Sequence, residues 1–319
     1  VYSAVSLFAG CGGSDVGAAA AGVETIWANE LQQYACTLYE NVTGKKHIVC
    51  DDVRNIDKFP RADILLGCYP CQGYSQAGRR RETDEINYLY REFDRALRLI
   101  KPIAFVVENV DGMRFRQNES LLSAQLTRFR LAGYRVSWQG LNAKSFGLAQ
   151  DRSRLLLVGI RSSERKTFVF PGPTHGVEEG LKPFVTLRDS IWHLRDAPDG
   201  SFNAEPMHWY YLSRNRWRSW DEQARCVVAH WRHVGLHPDS PRLKRIHTDQ
   251  WVFARKGIAR RLSYLECAAL QGFSDPDAFT LKDVPVRERF RAIGNAVPPP
   301  LFEAVARELV RTLHERIKR

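Results

Sequence analysis

Ala62-Asp63-Ile64-Leu65-Leu66-Gly67-Cys68-Tyr69-Pro70-Cys71-Gln72-Gly73 is the stretch on which the fold turns. The run Ala62 to Leu66 is short and apolar, as in a buried parallel strand, and Gly67 to Gly73 has the composition of a tight turn. A thiolate is the strongest nucleophile among ordinary side chains. Cys71 stands where a strand gives way to a loop, the usual address of α/β active sites. A cysteine after a proline also serves as a packed core residue, so the rest of the chain has to decide.

Working outward, the first ~170 residues alternate strand and helix in the βαβ manner. Ala4 to Phe8, Ala62 to Leu66, Ile103 to Val107 and Arg154 to Ile160 read as strands. Ile86, Leu89, Phe93, Leu97 and Ile100, three and four apart, read as the buried face of a helix that stops before Pro102. These elements predict a doubly wound, mostly parallel sheet. After Pro171-Gly172-Pro173 the periodicity fades, and residues 176–257 hold six of the eight tryptophans and six of the nine histidines, with arginines interleaved at Arg214, Arg216 and Arg218. A second, smaller and irregular domain is predicted there, its tryptophans serving mainly as its own core. A helix is expected over Ser263 to Gln271, and a last helix with Leu301, Val305, Leu309 and Leu313 should dock back onto the first domain. The expected division is 1–175, 176–282 and 283–319.

A chain of 319 residues with 44% hydrophobic content can fill a large domain plus a smaller one. Its seven cysteines, at 11, 36, 50, 68, 71, 226 and 267, are odd in number and scattered, unlike a disulfide framework. With no leader-like segment before the first strand, a reducing cytoplasm is expected. No apolar stretch approaches the ~20 residues that span a bilayer, so no membrane is expected. The net charge of +11 suits a polyanionic partner, a statement about association and not about fold.

Several constellations share the predicted carboxyl edge of the sheet. Phe8-Ala9-Gly10-Cys11-Gly12-Gly13 follows the first strand and precedes an alanine-rich helical stretch, so its backbone can approach a nucleotide-like ligand at a helix N-terminus. Glu30, about 20 residues on, can accept bonds from ribose hydroxyls, and Asp52 can receive an exocyclic amine. Glu108-Asn109-Val110 ends the third strand, where burial would raise the glutamate pKa and let it share a proton with a ring nitrogen. Gln150-Asp151-Arg152-Ser153-Arg154 offers two guanidiniums on one face at i and i+2, which need carboxylate or carbonyl partners.

With these residues in view, the chain resembles the cytosine-C5 DNA methyltransferases, bacterial restriction-modification type, with the motifs in order over nearly its whole length. The matching segments are Phe8 to Gly13, Pro70-Cys71-Gln72, Glu108-Asn109-Val110 and Gln150, Arg152 and Arg154. They continue with Arg260-Arg261-Leu262-Ser263, Glu266 and Leu270 to Phe273, and end at Gly294-Asn295-Ala296-Val297. The resemblance implies an S-adenosylmethionine-dependent methyltransferase sheet with a target-recognition domain. It implies a methyl group transferred to C5 of a flipped-out cytosine in duplex DNA through a covalent adduct of Cys71 at C6. Glu108 would stabilise the adduct at N3 and the amine, Arg154 would contact the O2 carbonyl, and Arg152 would help fix the glutamate. Phe8, Ala9, Gly10, Gly12, Gly13, Glu30, Leu31, Asp52, Val53, Pro70, Asn295 and Ala296 would hold the cofactor. Gln72, Ser75 and the loop cations Arg79, Arg80 and Arg81 would meet DNA, as would Arg214, Arg216 and Arg218.

Tyr69 and Leu31 depart from the family pattern, and altered packing is the expected result. The rival functions are a tRNA cytosine-C5 methyltransferase of the same family, whose Cys-Phe-Thr segment is missing here, a catalytically inactive DNA-binding homologue, and a nicotinamide-dependent dehydrogenase. The first loses to the missing segment, the second to the joint presence of Cys71, Glu108, Arg152 and Arg154, and the third explains neither the cysteine nor the arginines. Cys68 with Cys71 lacks a second pair at ligand spacing, and His230, His233 and His237 lack a carboxylate or cysteine pattern, so no metal is expected. A monomer, nucleoid-associated and with room for a separately encoded restriction endonuclease as its partner, completes the expectation.

Overall fold

The computed structural model describes residues 1–70 and 88–315. Two compact units result, one of Val1–Asn142, Ser153–Gly172 and Val297–Arg319, the other of Ala143–Arg152 and Pro173–Ala296.

The first unit carries the strands β1 (Tyr2–Leu7), β2 (Val23–Glu30), β3 (Ile48–Cys50), β4 (Ile64–Gly67), β5 (Ala104–Val110) and β6 (Tyr134–Asn142). A two-residue strand of the second unit, β7 (Gln150–Asp151), precedes β8 (Ser153–Arg161), which returns to the first. The sheet runs β3-β2-β1-β4-β5-β8-β6. The first five strands are mutually parallel, and β8 alone is reversed between β5 and β6. The predicted α/β architecture is therefore present.

Chain order reverses between β1 and β4, whose register pairs Leu7 with Gly67. This is the switch point of an open sheet, where a crevice forms outside the carboxyl ends of the strands. The turn after β1 and the turn after β4 both leave from it. The third strand is longer than the sequence suggested. Glu108, Asn109 and Val110 do not follow the strand but belong to it, because β8 extends the ladder as far as the Val110–Arg154 pair. Strand β6 was not foreseen, because its burial is broken and irregular rather than alternating.

Helices α1 (Gly13–Ala20), α2 (Gln33–Thr43), α3 (Tyr90–Ile100) and α4 (Glu119–Leu131) flank the sheet, together with α8 (Pro299–His314). Phe93, Leu97 and Ile100 of α3 are buried as the spacing predicts, and Lys101 in the left-handed region ends the helix before Pro102. Ile86 lies outside the described residues. Phe93, Phe105 and Phe129 meet edge to face, with centroids 5.1 to 5.7 Å apart. Gly159 is required beside them, since a Cβ there would stand 2.0 Å from the Phe105 ring. The last helix does pack within the first unit. A Cβ on Gly17 of α1 would stand 2.5 Å from the Pro299 carbonyl, so the two helices touch backbone to backbone.

The second unit has little regular structure. Its further strands are β9 (Ala224–Arg225), parallel to β7, and the antiparallel hairpin β10 (Leu243–His247) and β11 (Gln250–Phe253). Its helices are α5 (Leu187–Ile191), α6 (Tyr264–Gln271) and α7 (Val286–Asn295). Helix α6 starts where the sequence placed it, because Ser263 and Glu266 form a reciprocal capping box. Tyr211, Leu236 and Leu243 form a small core joined by Trp217 and Trp251. Trp209, by contrast, is 80% exposed.

Candidate active site

The turn after β1 is strained. Phe8, Gly10 and Gly12 have φ of 56°, 57° and 89°, and the left-handed region is costly for a bulky residue such as Phe8. Two contacts hold it there. The Gly10 amide donates to Glu30 Oε2 at 3.0 Å, and the Ala9 amide donates to the Asn29 carbonyl at 3.0 Å. Glu30 Oε1 accepts the Gln32 amide at 2.9 Å, so the glutamate orders both sides of the crevice and keeps lone pairs for further donors. A Cβ on Gly10 would meet nothing within 4 Å, whereas one on Gly13 would strike the Val297 carbonyl at 2.2 Å. The turn is thus packed from behind and open in front. Leu31 is 57% exposed, and Val53 is buried in the main core. The Asp52 carboxylate is already engaged: it accepts from Arg54 Nε and Nη2 and from the Arg54 amide, and the Arg54 bond holds its pKa below the usual range. An amine would have to share those oxygens.

At the β4 end, Tyr69 is fixed on three sides. Its hydroxyl donates to Gln125 Oε1 at 2.6 Å, its ring meets Phe93, and its edge meets Phe8. The departure from the family pattern is therefore absorbed by packing that braces Phe8. Asn109 Nδ2 donates to the Tyr69 carbonyl at 3.2 Å, tying the end of β5 to the peptide before Pro70. Burial, and then the Glu108 charge, push the Cys68 thiol well above its ordinary value, so Cys68 stays a thiol. Cys71, Gln72, Ser75, Arg79, Arg80 and Arg81 lie outside the described residues.

Glu108 is buried and ion-paired with Arg154, whose Nε lies 2.9 Å from Oε1. Register explains the pair. Arg154 faces Val110 across the antiparallel ladder, and Glu108 is two residues from Val110, so both side chains leave the same face.

Arg152 is placed differently from Arg154. The i and i+2 alternation fails because β7 ends at Asp151 and β8 begins at Ser153, leaving Arg152 in neither strand. Its guanidinium donates to the carbonyls of Val227, Gly294 and Ala296 within the second unit. The ion pair to the glutamate comes from Arg154. Gln150 likewise donates to the Leu270 carbonyl and to Gln271 Oε1, and accepts the Val227 amide. Gln271 in turn donates to the carbonyls of Ile293 and Ala296. Ala296 is thus a buried acceptor and Asn295 is exposed. A Cβ on Gly294 would lie 2.3 Å from the Ala229 amide nitrogen, which is why that motif begins with glycine.

Arg216 has a role within its own unit. Its guanidinium donates to the Tyr211 and His233 carbonyls and lies over the Tyr211 ring, so it is part of the unit's framework. Arg214 is exposed, and Arg218 donates to the Trp217 carbonyl. Sequence reasoning missed Arg225. Burial, then Arg218 and Arg214, lower its pKa, which places the three cations within electrostatic reach of one another. Only the fold could reveal this, since Arg225 stands on β9 and outside the Arg214 to Arg218 run. Of the histidines, His230 and His233 stack on each other, while His237 is buried 3.3 Å from Glu266.

A family model described as C-5 cytosine-specific DNA methylase matches residues 2–311. The Type II methyltransferase M.BsuRI of Bacillus subtilis is 37% identical over 341 aligned residues, covering 95% of this chain and 78% of that protein. The Type II methyltransferase M.FnuDI of Fusobacterium nucleatum is 35% identical, covering 98% and 96%. Among solved structures, a DNA modification methyltransferase encoded within an E. coli prophage superposes with a TM-score of 0.74 at 20% identity, covering 99% of this chain and all of that one. The S. pombe Dnmt2 methyltransferase gives 0.66 at 15%, with the same coverage. At those identities the likeness is one of fold.

Proposed function

The chain belongs to the C-5 cytosine-specific DNA methylase family, and from that premise we propose how its own residues carry the reaction. It is a DNA (cytosine-5-)-methyltransferase whose methyl donor is S-adenosylmethionine. The observation that carries the residue assignment is the buried Glu108–Arg154 pair, one strand over from the β4 end that leads into Cys71.

Residues Phe8 to Gly13, Glu30 and Leu31 fit the cofactor, and the family resemblance adds Asp52 and Val53. The turn is open at Gly10, Glu30 has lone pairs to spare, and Leu31 offers an exposed apolar surface. When bound, the cofactor supplies an electrophilic methyl group on a sulfonium. In the proposed sequence the Cys71 thiolate adds to C6 of the cytosine, which makes C5 an enamine carbon able to take that methyl. Glu108 engages N3 and the exocyclic amine, and delivers or holds the proton that the developing charge on N3 requires. Arg154 orients Glu108 through Nε, donates from Nη1 to the Ser153 carbonyl, and directs Nη2 to the O2 carbonyl. Loss of the C5 proton and departure of the Cys71 sulfur then restore the aromatic ring.

Reaching C5 and C6 requires the base to leave the stack, at a cost of a few kcal/mol. Phosphate contacts from Arg79, Arg80, Arg81, Gln72 and Ser75, and from Arg214, Arg218 and Arg225, are proposed to offset it. Action as a monomer belongs to the same proposal, because one duplex site needs one active site, and sedimentation of the purified protein tests it. A separately encoded endonuclease and a cytoplasmic, nucleoid-associated location rest on the bacterial Type II relatives. Among the described residues no helix is long and apolar enough to cross a membrane.

Purified protein with methyl-labelled cofactor should label duplex DNA at cytosine, and bisulfite sequencing of an expressing host should reveal one protected sequence. Label in an RNA pool and none in any cytosine-containing duplex would overturn the assignment.

A further inference from the structure

Behind the cofactor turn lies a buried carboxylate that none of the motifs includes. Asp15, in the first turn of α1, is 4% exposed. The N-cap of that helix is Gly12, which has no side chain to cap it. Asp15 accepts the Ser6 hydroxyl of β1 at 2.9 Å, the Ser14 hydroxyl at 2.9 Å and the Tyr39 hydroxyl of α2 at 3.0 Å. The Tyr39 oxygen lies 3.0 Å from His47 Nε2. Since Tyr39 donates to the carboxylate, His47 must donate from Nε2, so each polar group in the chain has its partner. Strand, helix and neighbouring helix are thus tied to one carboxylate.

A buried carboxylate is costly, and an apolar side chain of similar size would fill the space at lower cost. Burial does push the Asp15 pKa up, against hydroxyls including those of Ser14, Ser6 and Tyr39. The network's location supplies a reason for keeping it. Tyr39 also presses on the turn itself, since a Cβ on Gly12 would stand 3.1 Å from its ring and 2.6 Å from Thr43. The turn so enclosed is the one that holds Phe8, Gly10 and Gly12 in left-handed conformations. A strained ligand loop persists only where its surroundings over-determine it, and a loop fixed beforehand binds without paying to become ordered.

We propose that Asp15, acting through Ser6, Ser14 and Tyr39, is the positioning residue of the S-adenosylmethionine turn. The proposal rests on the reading of Phe8 to Gly13 and Glu30 as the cofactor site. Calorimetric titration with S-adenosylmethionine and with S-adenosylhomocysteine, on wild type, Asp15→Asn, Tyr39→Phe and Glu30→Ala, tests both. Asp15→Asn and Tyr39→Phe should weaken both ligands about tenfold, the scale of a lost bond to a charged group. Turnover at saturating cofactor should stay within about twofold, so that KM moves and kcat does not. Weak binding by Glu30→Ala with unchanged binding by the other two, whatever their melting temperatures, overturns the role of Asp15. Unchanged binding by Glu30→Ala overturns the cofactor-site reading, and the proposal with it. If Asp15→Asn does not fold, Tyr39→Phe, which keeps the ring packing, decides alone.

Discussion

The first unit sends its buried backbone into a seven-stranded ladder, and among the described residues its buried charged side chains are the acids Asp15, Asp94 and Glu108. The second has strands of two to five residues, and its buried charged residues are Arg152, Arg261, Arg289 and Glu266. The difference follows from where carbonyl groups find donors. A ladder satisfies them with amides, whereas an irregular chain leaves them orphaned unless side chains reach in. Arginine, with five donors in a rigid fork, is the side chain best suited to that task. Arg152 serves three carbonyls and Arg216 two. Arg261 serves those of Asn203, Glu205 and Arg232. The excess of basic residues is therefore partly architectural, and the net charge of +11 overstates the surface available to DNA.

If chemistry belongs to the first unit's sheet edge, its variants should lose catalysis and keep their fold. Glu108→Gln should lower kcat by about 10²–10⁴, the usual worth of a general acid or base, and Cys71→Ser should abolish turnover. Both should retain cofactor binding by calorimetry. Near-normal turnover in either removes that residue from the mechanism.

In the second unit the corresponding experiment should cost stability instead. Arg261→Met deletes donors to the carbonyls of Asn203, Glu205, Pro206 and Arg232, the first of them buried, and the stacking over Tyr211. A loss of about 3 kcal/mol is expected, since charged hydrogen bonds contribute ~1.5–3 kcal/mol and the stranded acceptors add to the penalty. A urea midpoint that falls with an unchanged slope would bear this out. A midpoint equal to wild type would mean that water replaces the guanidinium and that the framework argument fails.

The acids of the second unit should respond to pH. Burial pushes the Glu266 carboxyl up, but the bonds to Arg260 and His237 outweigh it and hold the group below the usual carboxylate range. A depressed pKa in the folded state contributes stability above the unfolded value of roughly 4.3, and that stability disappears as pH falls through the folded value. Glu266→Gln should therefore be less stable than wild type at neutral pH and lose less on acidification, as read by melting temperature from pH 7 to 3. Parallel acid limbs for the two proteins would exclude Glu266 as the source.

How much of this was legible in the sequence follows the same division. The parallel strands declared themselves because a strand buried on both faces is a continuous apolar run. The glycine turn after β1 and the helix that opens at Ser263 were readable because each depends on residues a few positions apart. Asp15 was not, because its partners Ser6 and Tyr39 come from two other elements, nine and twenty-four positions away, at no spacing that marks them as partners. The placement of Arg152 outside the strand was hidden for a related reason. Alternation along a strand holds only while the strand continues, and nothing in Gln150-Asp151-Arg152-Ser153-Arg154 signals the break at Arg152. The arginines of the second unit were the hardest, since whether a guanidinium points to solvent or to a carbonyl depends on tertiary packing with no period of its own.

That last ambiguity gives the smallest effect and the finest test. Arg214 and Arg216 are two residues apart and alike in charge, so sequence assigns them one role. The fold separates them: Arg214 is exposed and sits in the field of Arg218 and Arg225, while Arg216 is bonded to the Tyr211 and His233 carbonyls. A cation that neutralises one phosphate adds about 0.9 to the slope of log affinity against log salt. Arg214→Ala and Arg225→Ala should each reduce that slope by about one and leave the melting temperature alone. Arg216→Ala should do the reverse, lowering the melting temperature with the slope unchanged. The two readouts are independent, so a reduced slope for Arg216→Ala at full stability would return that residue to the DNA surface. Equal slopes for all three variants and wild type would mean that the cluster meets no phosphate.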